Sequence, residues 1–84
     1  MVNWNQIIFN DFEDDESVRE KLFIHHLTLE EVIQCFYNPF QLRKNKKYKD
    51  RYQMIGKTDG GRRLKVIFQL KLKNAVRVIT AWDL

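Results

Sequence analysis

The stretch Arg63-Leu64-Lys65-Val66-Ile67-Phe68-Gln69-Leu70-Lys71-Leu72-Lys73 decides the fold class of this chain. Leu64, Val66, Phe68, Leu70 and Leu72 alternate with Arg63, Lys65, Gln69, Lys71 and Lys73, and Ile67 is the one exception. A period of two is that of a strand, whose successive side chains point to opposite faces. One face is therefore expected in a core, and the other is basic. Upstream, Lys57-Thr58-Asp59-Gly60-Gly61 reads as a hairpin loop, with Asp-Gly-Gly offering positive-φ positions. Arg51 to Ile55 is the partner strand, ending at Gly56. Downstream, Lys73-Asn74 reads as a tight turn. Ala75 to Trp82 is a last strand with apolar residues in both phases, which predicts a central strand covered on both sides.

Two helices precede this sheet. Thr28 and Glu31 have capping-box spacing, and Leu27 and Val32 stand where a hydrophobic staple spans that cap. Leu29, Val32, Ile33, Phe36 and Tyr37 then fall on one helical face, and Pro39 ends the helix. Cys35 flanks that face as a buried, unreactive residue. An earlier helix is expected from Val18 to about His25, capped by Ser17 with Glu20, or by Asp14 or Asp15. Val2 to Phe9 reads as a first strand. The order β-α-α-β-β-β predicts a single α+β domain over residues 1–84, with two N-terminal helices packed on one face of an antiparallel sheet. Leu29, Val32, Ile33 and Phe36 should meet Leu64, Val66, Phe68 and Leu70.

With 84 residues there is room for one domain, and 44% apolar against 31% charged residues is a globular balance. A lone cysteine excludes an internal disulfide and points to a cytoplasmic setting. No apolar run approaches the ~20 residues of a membrane span, and the N-terminal stretch lacks a secretory pattern. Charge is divided unevenly. Residues 1–31 hold eight acids and two bases, a net of −6, whereas residues 32–84 hold 13 bases and three acids, a net of +10. A basic two-thirds invites a polyanion such as RNA, or else is simply a solvated surface.

Few residues offer chemistry. His25, His26 and Cys35 are the only soft ligands and do not make a four-ligand site, so neither metal nor cofactor is expected. No glycine-rich phosphate loop precedes a helix. A histidine beside several guanidinium groups does suit one metal-free reaction, cleavage of RNA by its own 2′-hydroxyl. Histidine exchanges protons near neutral pH, and arginines surround the extra charge of a phosphorane.

Three segments extend this reading. His25-His26-Leu27-Thr28-Leu29-Glu30-Glu31-Val32, followed by Cys35-Phe36-Tyr37-Asn38-Pro39, resembles the "His-Gly-Val-Thr/Ser-x-Glu-Glu-Val … Pro" segment of BrnT-like toxins, in the RelE-like superfamily. The hairpin from Arg51-Tyr52 to Gly56-Lys57-Thr58-Asp59-Gly60-Gly61-Arg62-Arg63-Leu64 is similar to that family's "Arg-Tyr … Gly-Arg-Thr-x-x-Gly-Arg-x-Leu". Val76-Arg77-Val78-Ile79-Thr80-Ala81-Trp82-Asp83 is similar to its terminal "Arg-Val-Ile-Ser/Thr-Ala-Arg-Asp". The likeness covers most of residues 18–84 in matching order. Two departures stand out: the family's "His-Gly" is His25-His26 here, and the arginine of its "Ala-Arg" is Trp82.

The resemblance implies a RelE-like fold. It also implies the toxin of a type II toxin–antitoxin pair, a metal-independent endoribonuclease acting on messenger RNA. By position the catalytic set would be His25, Arg51, Arg62 and Arg77. Arg43, Lys44, Lys46, Lys47, Lys65 and Trp82 would bind RNA. The partner would be a small DNA-binding antitoxin, held in a complex, whose acidic or amphipathic segment covers the basic face. The alternative is a non-catalytic relative that grips RNA or a protein. Trp82 favours it, because an indole stacks on a base but cannot replace a cation at a phosphate.

Overall fold

Alternation in the basic strand turns directly into a sheet with one apolar face. The computed structural model describes residues 11–45, 47–48, 50–72 and 75–84; the expected strand Val2 to Phe9 and the expected turn Lys73-Asn74 lie outside them. The elements are β1 (Asp11–Phe12), α1 (Glu16–Ile24), α2 (Leu29–Tyr37), β2 (Gln41–Lys44), β3 (Arg51–Lys57), β4 (Arg63–Leu70) and β5 (Ala75–Asp83). The sheet order is β1-β5-β4-β3-β2. Strands β2 to β5 are mutually antiparallel, and β1 adds two residues parallel to β5. The α+β class, the two helices and the antiparallel sheet are as expected.

In β3 and β4, Tyr52, Met54, Leu64, Val66 and Phe68 are buried and share one face. Leu29, Val32, Cys35 and Phe36 of α2 and Val18 and Leu22 of α1 join them in one core. Helix α1 runs along β5 and α2 along β3 and β4. Phe36 meets Phe68 edge-on at 5.0 Å, and Tyr52 stacks on Phe68 at 5.6 Å. Ile33 and Leu70, also expected in the core, are partly buried against it. Gly56 lies tight against α2, since a Cβ there would stand 3.1 Å from Cys35 Cβ, and also 2.9 Å from Met54 Sδ. Burial pushes the Cys35 thiol up to about 11, so it stays protonated and packs as a small apolar side chain.

Of the caps expected for α1, Asp15 is the one used: it accepts the Ser17 N–H at 2.9 Å, and Ser17 Oγ donates to the same carboxylate. Three local expectations change. Leu72 is not a core residue, because β4 ends at Leu70 and leaves it exposed. Strand β2 is an addition: three of its four residues are exposed, so pairing with β3, not hydrophobic alternation, makes it a strand. Finally, β5 is not covered on both sides. A bulge places Ile67 opposite Thr80 but Phe68 opposite Val78, so Ile79 is the extra residue. Val76 and Val78 face the core before the bulge and Ala81 faces it after, which is why apolar residues occur in both phases.

The end of α1 is a Schellman turn. Leu27 N–H donates to Leu22 O at 2.8 Å and His26 N–H to Phe23 O at 2.9 Å, with Leu22 and Leu27 both buried. The turn requires a left-handed residue, and His26 takes φ +58. Such a conformation costs a residue bearing a Cβ about 1–2 kcal/mol. His26→Gly should therefore raise stability by about 1 kcal/mol, read as a higher urea midpoint with an unchanged slope. Phe68→Ala, which empties the centre of the core, should cost about 3–5 kcal/mol in the same titration.

Candidate nucleic-acid interface

The face of the sheet away from the helices is built by the register alone. Arg43 pairs with Gln53, Arg51 with Gln69, Ile55 with Lys65 and Lys57 with Arg63; across β4 and β5, Gln69 pairs with Arg77 and Lys65 with Trp82. All of these residues are out of phase with the buried set, so they share the opposite face. It carries six cations (Arg43, Arg51, Lys57, Arg63, Lys65 and Arg77), and within β2 to β5 no acidic residue occupies a position on it; Asp11 of the two-residue β1 pairs with Ala75 in the same phase. Among the described residues none of the six is ion-paired. The paired cations, Arg19, Arg62 and Lys71, lie off these strand positions. Lys65 Nζ stands 5.7 Å from the centre of the Trp82 ring. The indole is half-buried and flat against a cation, an arrangement on which a base can stack.

Arg51, Gln69 and Arg77 lie side by side on three adjacent strands. With Ser17, Lys21 and neighbouring backbone they line a cleft of about 120 Å³. The Arg51 guanidinium also lies over the Tyr48 ring at 4.2 Å, which orients its planar fork. Asp50, just before β3, accepts a hydrogen bond from Gln69 Nε2 at 2.5 Å. Two guanidinium groups and an ammonium around a small cleft can hold a phosphate oxygen each.

Arg62 is placed quite differently. Its guanidinium grips both carboxylate oxygens of Asp83 and donates to His26 O at 2.8 Å and His25 O at 3.3 Å. It also reaches Glu31 Oε2 at 3.5 Å. Glu31 uses its other oxygen in the capping box, accepting the Thr28 N–H at 3.1 Å, while Thr28 Oγ1 accepts from Glu31 N–H at 3.2 Å. Arg62 therefore ties the β3–β4 loop, the end of β5 and the α1–α2 turn together. His25 is the exposed C-cap of α1 at this junction.

The four candidate catalytic residues thus form two pairs. Arg51 and Arg77 meet at one end of the sheet, while Arg62 and His25 stand at the other, with Asp83. Six strand residues separate Arg77 from Asp83, or about 20 Å. Of the expected RNA-binding residues, Arg43, Lys65 and Trp82 share the open face. Lys44 is exposed on β2 in the opposite phase, Lys47 lies 5.6 Å over the Tyr48 ring, and Lys46 is outside the described residues. Lys57, Arg63 and Lys21 join the surface although the sequence reading did not single them out. For Lys57 and Arg63 the signal was present in the phase of their strands; for Lys21 only the packing of α1 beside β5 supplies it.

No protein-family model matches this chain, and no curated protein matches it.

The Arg62 guanidinium holds the Asp83 carboxyl below the usual carboxylate value, with smaller pulls from His25 and His26. Because the folded value is the lower one, this pair favours folding above the ordinary carboxylate pKa. Its contribution fades as pH falls through the lowered value. Asp83→Asn should therefore flatten the fall of urea midpoint between about pH 5 and about pH 2 relative to the unsubstituted chain.

Proposed function

We infer that this chain is an RNA-binding domain that holds single-stranded RNA on the open face of its sheet, with a RelE-like, BrnT-like ancestry. One observation carries the reading: six cations with no ion-pair partner among the described residues share a strand face with the Trp82 indole, and the β2 to β5 positions of that face include no acid. An ordinary solvated surface mixes signs, as the helix side of this molecule does, where Arg19 bridges Asp14 and Glu30. Backbone phosphates suit the cations, and an unpaired base suits Trp82. Two helices ahead of an antiparallel sheet is also the arrangement that the resemblance calls for.

A second reading, a metal-independent ribonuclease toxin acting on messenger RNA, is favoured by the cleft that gathers Arg51, Arg77 and Lys21. Cations converging on one phosphate stabilise the charge that builds up as the 2′-oxygen attacks. In this reading an acidic segment of a small DNA-binding antitoxin would cover the same face. His25 would then act away from that cleft or not at all.

Fluorescence anisotropy with a labelled single-stranded RNA, titrated across salt, tests both. Binding should weaken linearly in log–log form, by about 0.7 per phosphate contacted. Arg51→Gln with Arg77→Gln should lower that slope by about 1.4 while circular dichroism stays native. Absence of binding at low salt would overturn the RNA reading. Cleavage of the same RNA by the unsubstituted chain, lost in Arg77→Gln, would decide for the nuclease.

A further inference from the structure

At the far end of the open face from Arg51 and Arg77, Lys57 and Arg63 stand directly opposite each other across β3 and β4. Like charges in that position repel, and among the described residues neither has an acidic partner. The adjacent acid, Asp59, is turned to Asn38, whose Nδ2 donates to it at 3.1 Å. The same two cations border a hollow of about 250 Å³, lined otherwise by Pro39, Phe40, Gln41, Ile55 and Gly56. An apolar wall beside two unpaired cations is the chemistry of a nucleotide seat, with flat contact for a base and charge for its phosphate. Six strand residues from Arg51 to Lys57 set this seat about 20 Å from the arginine cleft.

We propose that Lys57, Arg63 and the Pro39–Ile55 hollow form a second anchor for single-stranded RNA, so that the strand lies along β3 and β4 with both ends held. This rests on the RNA-binding reading and adds to it a direction and a length. At the stacked rise of about 3.4 Å per nucleotide the two anchors are spanned by about six nucleotides, and by fewer if the strand is extended.

The experiment is an oligouridylate series from two to ten nucleotides, each length titrated in salt against the unsubstituted chain and against Lys57→Gln combined with Arg63→Gln. Both residues are exposed, so native circular dichroism is expected of the variant. Affinity for the unsubstituted chain should climb to a break at no more than about six nucleotides and rise slowly beyond it. The double variant should remove the climb and cut the salt slope by about 1.4 for long oligomers, with a smaller cut for the dinucleotide, which engages only one anchor at a time. Equal slopes for variant and unsubstituted chain, or one uniform loss at every length, would overturn the second anchor while RNA binding itself stands. No binding of any length at low salt would instead overturn the RNA reading, and the anchor with it.

Discussion

Burial on one face only is the constraint from which the rest of this structure follows. Each helix has nine residues and spans about 13 Å, whereas β4 alone, with eight residues, spans about 26 Å. Two such helices cover one side of the sheet, and α1 reaches the other only beside β5, where Ser17 and Lys21 border the cleft of Arg51 and Arg77. Every buried residue of β3 and β4 accordingly lies in one phase, and the other phase must be compatible with water. Water would accept a mixture of charges there. The chain places cations along β2 to β5 instead, and leaves most of its acids on α1, α2 and their flanks. The uneven charge along the sequence thereby becomes a difference between two sides of a layered domain. A polyanion approaching such a molecule is drawn to the sheet side and repelled from the helix side.

Arg62 shows how a single cation can be withdrawn from function by its surroundings. A guanidinium that satisfies a carboxylate and two backbone carbonyls has little capacity left for a phosphate. Its partners come from three separate parts of the chain, so its role is to close the end of the sheet against the α1–α2 turn. Arg51 and Arg77 carry the same charge but form no ion pair among the described residues, and they face a cleft. Residue type does not distinguish these arginines; the partners do.

The bulge at Ile79 has a comparable effect on β5. It lets Val76, Val78 and Ala81 all face the core. It also turns Thr80 and Trp82 outward, into the rows of Ile67 and Lys65. Without the extra residue the indole would point into the core, and Lys65 would lose the ring beside it. The aromatic element of the open face thus depends on an irregularity of the backbone.

Local rules were sufficient to read much of this from the sequence. Alternation from Leu64 to Leu70, broken only at Ile67, the Thr28–Glu31 capping box and the stop at Pro39 each act within a few residues, so the helix α2, the strand β4 and the α+β class were legible. So was the basic character of one strand face. Strand β2 was not, because its residues have no alternation and only pairing with β3 makes them extended. The phase change in β5 was not, because a bulge is defined by the partner strand. Most of all, grouping the candidate residues required the fold. Arg51, Arg62, Arg77 and His25 are alike as candidates in the sequence, yet strand register sends two of them to one end of the sheet and two to the other. Sequence determines which charges this protein carries, because composition and period are local properties. Tertiary structure decides which of those charges stay unpaired and share a surface, because pairing and register are made between residues far apart in the chain.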